Sequence, residues 1–204
     1  MFALVESGTI TQFPKGNKGI IIGENQYPQT IYTLWTEAER NAIGIYTVEI
    51  DETNRKDEEF YVNTNITYAF GSGKVTGSYG TATAKKLADE DAVDESGNKI
   101  KDADGNQVIN YGLKTKYKNK FNAEAAGLLA KTDWYVIKAA DVGSYSVPSN
   151  ITTYRAAVRT KVNAMETSID NCSDVDALIT LLTYTTDSEG VTSRPLGEFP
   201  DEVV

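Results

Sequence analysis

The sequence predicts an α+β chain: a small antiparallel β-rich N-terminal module with one short helix, then a helical hairpin or small bundle, then an extended C-terminal tail. Two changes of pattern predict it. Short apolar and polar alternations fill the first third, and beyond Gly112 the apolar period lengthens from two to about three and a half. The stretch after Tyr184 shows neither period and carries Gly190, Pro195, Gly197 and Pro200, so it is expected to be extended, either flexible or docked on something else. The expected boundaries are residues 1–81 for the β-rich module, 82–112 for a linker with a β-turn insertion, 113–184 for the helical module and 185–204 for the tail.

In the β-rich module, Phe2-Ala-Leu-Val-Glu-Ser-Gly-Thr-Ile-Thr-Gln-Phe13 reads as two strands around a Ser7-Gly8 turn, which Pro14 and Gly16 end. Thr36-Glu-Ala-Glu-Arg-Asn-Ala-Ile-Gly44 has a threonine cap, acidic residues in its first turn and a glycine stop, so it predicts the short helix. Ile45–Ile50 alternates as a strand, followed by the charged loop 51–59. Phe60–Val62, Ile66–Phe70 and Lys74–Tyr79 continue the strand signal, with Gly71-Ser-Gly73 as a turn.

Helix formers dominate Ala82–Ala92. In the polar stretch that follows, Gly97-Asn98 and Gly105-Asn106 recur eight residues apart, predicting two tight turns around the short strand Lys99–Lys101. Leu113, Tyr117, Phe121, Ala125 and Leu128 share one helical face. After Val147-Pro148-Ser149, the residues Ile151, Tyr154, Val158, Val162, Met165 and Ile169 form a stripe of about five turns. Ser173 is read as the cap of a shorter helix with Val175, Leu178, Ile179 and Leu182 on its face.

Composition narrows the function. With 20 basic and 29 acidic residues the formal charge is −9, and no segment concentrates enough lysine or arginine to favour a nucleic-acid partner. The apolar runs Ile20–Ile22 and Ala177–Leu182 fall far short of the roughly 20 residues a membrane helix needs. The N-terminus has neither a basic region nor a long apolar one, so folding in a cytosol is expected. Without a secretory signal, the sequons at Asn65 and Asn150 read as chance matches.

The chain has no histidine and a single cysteine, Cys172, which removes Ser-His and Cys-His nucleophile systems, disulfides and a thiolate zinc site. Asp102-Ala-Asp104-Gly-Asn106 has the alternating oxygens of a calcium loop, but its glycine is at the fourth position and Leu113 at the twelfth. An ordinary turn is expected there. The carboxylate clusters lie in charge-rich, solvated segments, and Gly71-Ser-Gly73-Lys74 is too short for a phosphate loop. The expectation is a non-enzyme with no catalytic residue, no metal and no cofactor. Cys172 is expected to be a small buried hydrophobe.

Interface candidates are more numerous. Trp134 and Tyr135 follow the first long helix and suit either a hairpin core or a partner interface. Arg155 and Arg159, one helical step apart, suit either intrachain salt bridges or a carboxylate-bearing partner. With Tyr154, Val158 and Val162 from the apolar stripe they form the expected partner surface.

These residues also carry a resemblance. Leu128-Leu129, Thr132-Asp133-Trp134, a proline-containing linker and Tyr154-Arg155 with Arg159 resemble the C-terminal region of bacteriophage tail assembly chaperone and tail-fibre assembly proteins. The opening Phe2–Pro14 is similar to the openings of such proteins, and Glu37–Val48 is similar to their helix-then-strand unit. The Asp94–Tyr111 insertion, the longer second helix and the helix after Ser173 depart from the short chaperones and suit a larger, marine-phage-like relative.

The resemblance implies a tail-fibre assembly protein or fibre-associated component whose partners are other tail or tail-fibre proteins, with self-association as a further option. Its place would be the host cytoplasm during assembly. The alternative is a permanent virion structural subunit, such as a baseplate, fibre-tip or adaptor protein, which would reside in the virion tail.

Overall fold

The Ser7-Gly8 turn starts the fold. Both residues have positive φ, 51° and 79°. This twists β1 (Phe2–Glu6) back against β2 (Thr9–Gln12) as an antiparallel hairpin. The chain continues through a small hairpin, β3 (Ile20–Ile22) and β4 (Asn25–Tyr27), one helical turn, α1 (Ile31–Leu34), and α2 (Glu37–Ala42). At α2 the Thr36 hydroxyl accepts from the Glu39 N–H while Glu39 reaches back to the Thr36 N–H, a complete capping box. Then come β5 (Ile45–Asp51), β6 (Tyr61–Val62), β7 (Thr67–Gly71), β8 (Lys74–Ser78) and β9 (Thr83–Ala84). The computed structural model describes residues 1–203.

The chain forms two units, Met1–Thr83 and Ala84–Val204. The first is built on a five-stranded sheet in the order β2-β1-β5-β8-β7. β1 lies antiparallel to β5, but β5 and β8 run parallel, Val48 facing Val75 and Ile50 facing Gly77. The sheet is therefore mixed where an antiparallel one was expected. The charged loop after Asp51 is too long to act as a hairpin turn. The next ladder is the tight β7–β8 hairpin over Ser72-Gly73, and this places β8, not β7, beside β5.

Alternation along β1 supplies both faces. Leu4 packs with Ile20, Ile31, Tyr32 and Ile45 on one side, while Ala3 and Val5 pack with Val48 and Val75 on the other. The first unit contains two helices rather than the one expected. α1 was missed because a single turn carries too few residues to display a period.

Gly44 stops α2 with φ of 84°, and a Cβ there would lie 2.6 Å from the Val5 carbonyl oxygen. The Gly44 carbonyl in turn accepts from the Val5 N–H at 2.8 Å. Gly44→Ala combines a left-handed backbone, costing about 1–2 kcal/mol, with that clash. It is expected to lower stability by at least about 2 kcal/mol in a urea titration; a loss below about 0.5 kcal/mol would show that the turn relaxes freely.

The segment Ala82–Ala92, which leads from the first unit into the second, forms no helix although it is rich in helix formers. The carbonyls of Lys86 and Leu87 accept from the N–H groups of Leu113 and Lys114, and Asp89 accepts from the Gly112 N–H at 2.8 Å and the Thr115 hydroxyl at 3.0 Å. This segment thus caps α3 (Leu113–Ala130), whose own cap residue, Gly112, has no side chain to do so. A Cβ on Gly112 would fall 2.3 Å from the Leu87 carbonyl oxygen, so the close approach requires glycine.

Between these anchors, β10 (Glu90–Asp91) pairs with β11 (Ile109–Asn110), and single bridges join Val93 to Lys99 and Lys101 to Gln107. Ala92, Ile100 and Val108, eight residues apart, close a ring. The Ala92 N–H donates to Val108, the Ile100 N–H to Ala92 and the Val108 N–H to Ile100, at 2.8–2.9 Å.

α4 (Asp133–Asp141), α5 (Ser149–Asp170) and α6 (Val175–Leu182) follow. The core combines Leu113, Tyr117, Phe121 and Ala125 of α3 with Ile151, Tyr154, Val158, Val162, Met165 and Ile169 of α5 and with Val175 and Leu178 of α6. Asp174, not Ser173, caps α6, accepting from the Ala177 N–H at 2.8 Å; the Ser173 hydroxyl donates to Asp174.

The segment expected as an extended tail is a short hairpin, β12 (Thr185–Thr186) with β13 (Thr192–Ser193), followed by a docked strap. Leu196 is buried, its N–H donates to Leu181 and its carbonyl accepts from Lys161 at 2.7 Å. Arg194 lies over the Phe121 and Tyr184 rings and pairs with Glu198.

Candidate partner-binding surface

The end of α3 leaves carbonyls without helical partners, and Arg155 of α5 supplies a donor. Its Nη1 donates to the Leu129 carbonyl and to the Thr132 hydroxyl, both at 2.7 Å, and its Nη2 is 2.8 Å from Asp133 Oδ1. The Thr132 hydroxyl also donates to the Leu129 carbonyl at 3.0 Å. Arg155 is 9% exposed and Thr132 is buried, so this clamp fixes the α3–α4 corner from inside. Asp133 begins α4, where a negative charge also suits the positive helix end.

The seven residues expected to form a partner surface divide sharply. Tyr154, Arg155, Val158 and Val162 are buried in the unit's own core and clamp, the packing alternative raised by the sequence. Burial pushes the Tyr154 phenol above its ordinary value. Arg159 is exposed and makes one long contact, 3.4 Å, to the Arg155 carbonyl. Trp134 is exposed, and Tyr135 is half-buried beside it, ring centroids 4.2 Å apart.

What the structure adds is α4 itself. None of its side chains is buried, although it carries Trp134-Tyr135-Val136-Ile137; Trp134 is 51%, Val136 42% and Ile137 67% exposed. Lys138 places its ammonium 5.2 Å from the Trp134 ring centre and 4.4 Å from that of Tyr145, which holds the indole at the surface. Val136 and Ile137 were not singled out in the sequence. A run of four large apolar residues in a nine-residue helix shows no period, so it reads equally as buried.

The other candidates are engaged locally. Asp102 Oδ1 accepts from the Asp104 and Asn106 N–H groups at 3.0 and 2.8 Å, and these bonds hold its carboxyl below the ordinary range. Asp94 repeats the arrangement with Ser96 and Asn98. Cys172 is buried, its thiol pushed up by desolvation. No helix among the described residues is long and apolar enough to cross a membrane. Comparison of the chain with protein-family models, with curated proteins and with solved structures returned no match.

Proposed function

We propose that this chain is a bacteriophage tail protein that works by protein–protein contact, as a tail-fibre assembly protein or fibre-associated component, and that α4 is its docking element. One observation carries the reading: a helix held at its start by a buried arginine clamp, yet presenting Trp134, Val136 and Ile137 to solvent. Large apolar side chains left exposed together on one short helix mark a candidate interaction site, and tryptophan is among the residues most enriched where binding energy concentrates. The resemblance of Thr132-Asp133-Trp134 and Tyr154-Arg155 to tail assembly proteins supports it from the other side. Thr132, Asp133 and Arg155 are the clamp, and Trp134 is the first exposed side chain beyond it. The function assigns no catalytic step to the chain.

The test is copurification of the tagged chain with the other tail proteins of the same phage. Trp134→Ala combined with Ile137→Asp is expected to reduce recovery of partners at least about tenfold, the scale of a hot-spot loss. The melting temperature should stay within about 2 °C, because neither side chain is buried. Undiminished recovery would move the partner surface elsewhere. Mass spectrometry of purified particles then separates an assembly factor, absent from them, from a permanent tail subunit present in small symmetric copy number.

A further inference from the structure

The loop between β2 and β3 lines a cavity of about 410 Å³ with Lys15, Gly16, Asn17, Lys18 and Gly19, and Gln12 and Tyr32 also border it. Packing fixes the loop's shape. Pro14 is buried, Gly16 has φ of 73° and lies against the Phe2 and Tyr32 rings, and a Cβ on Gly19 would sit 2.5 Å from the Tyr27 carbonyl oxygen.

Its chemistry is unlike the rest of the chain. Residues 7–23 hold two lysines and no carboxylate, in a protein of net charge −9. Among the described residues neither Lys15 nor Lys18 takes part in an ion pair. Tyr32, only 7% exposed, has a hydroxyl with no hydrogen-bond partner. That hydroxyl is itself closed off from solvent, so Tyr32 borders the cavity without offering it a donor.

We infer that this cavity binds an oxyanion, a carboxylate or phosphate group held by Lys15 and Lys18 with the side-chain amides of Gln12 and Asn17 as further donors. Two ammonium groups and two side-chain amides provide donors without a competing carboxylate, and the glycines let backbone N–H groups approach the same space. The site stands on the first unit and does not depend on α4 or on the tail assignment.

The experiment is a titration of the full ¹⁵N-labelled chain followed by amide shifts, with inorganic phosphate in one arm and succinate in the other. Sodium chloride of matched ionic strength is the control. Saturable shifts confined to residues 12–20 and Tyr32 are expected, in whichever arm carries the physiological chemistry or in both. The double variant Lys15→Met, Lys18→Met should bind at least about tenfold more weakly, as loss of two charge-assisted contacts requires. Asn17→Ala should bind about threefold more weakly, on the scale of one neutral hydrogen bond. Both lysines are exposed, so unchanged shifts elsewhere confirm that the double variant is folded. Shifts that never saturate, that chloride reproduces, or that the double variant retains at full affinity overturn the site.

Discussion

Arg155→Met is expected to destabilise the second unit by about 2–3 kcal/mol. Methionine preserves most of the packing volume of the arginine stem, so the loss isolates the guanidinium. Three contacts disappear: those to the Leu129 carbonyl, the Thr132 hydroxyl and Asp133. The usual cost of breaking a buried pair, about 3–5 kcal/mol, is reduced here on two counts. Thr132 and Leu129 keep their bond to one another, and Asp133, about half exposed, recovers water. A urea titration gives the size of the loss, and hydrogen exchange gives its place. Amides at the start of α4 should exchange faster, because the corner is no longer held. Asp133→Asn should cost no more than about 1 kcal/mol, since its side chain already faces solvent. A midpoint for Arg155→Met indistinguishable from wild type would mean that the α3–α4 corner stands without its clamp.

Phe121→Ala should have the larger effect, about 3–5 kcal/mol. The ring is 1% exposed in the α3 face of the core, and its removal leaves a cavity that the two long helices cannot fill without shifting. It is also the platform for Arg194, whose guanidinium carbon lies 5.3 Å from the ring centre. The variant should therefore show a second symptom: faster proteolysis within residues 185–203, where the strap loses its stacking partner. Phe121→Leu keeps most of the volume and should cost about 1–1.5 kcal/mol. If the alanine variant lost stability without loosening the strap, the bonds of Leu196 to Leu181 and Lys161 and the pair of Lys131 with Glu202 would be what holds the C-terminal segment in place.

Features were legible in the sequence where a local signal and the tertiary environment agreed. The α5 stripe from Ile151 to Ile169 is buried residue for residue, because a helix of 22 residues repeats its period often enough to be read. The α2 capping box and the Ser7-Gly8 turn are local chemistry that needs no partner. Features decided by contacts far along the chain were not legible. Nothing in Val48 or Val75 announces a parallel pairing. The helix formers of 82–92 are overruled because their carbonyls serve α3, and the Pro- and Gly-rich end is ordered by Leu196 and Arg194 rather than by its own propensity.

At the candidate surface the same limit applied. Arg155 and Thr132 could be named, but not joined, since 23 residues separate them. The exposure of Ile137 depends on where α4 is directed, which the clamp determines. The lysines of residues 15–18 were passed over because a charge balance taken over the whole chain hides a local reversal of sign.

The ring of Ala92, Ile100 and Val108 turns residues 90–110 into a branch. Two arms end in the Asp94–Asn98 and Asp102–Asn106 turns, and the third is open, its two strands leading back to Asp89 and on to Gly112, which are bonded to each other. The chain thus departs and returns at one point, so the placement of α3 depends on that tie and not on what hangs from it. Loop-closure entropy rises only logarithmically, about 0.6 kcal/mol for each doubling of length. A side arm attached in this way can grow, shrink or exchange its tips while the helices behind it keep their register, which makes it the part of this protein most open to variation at little cost to the rest.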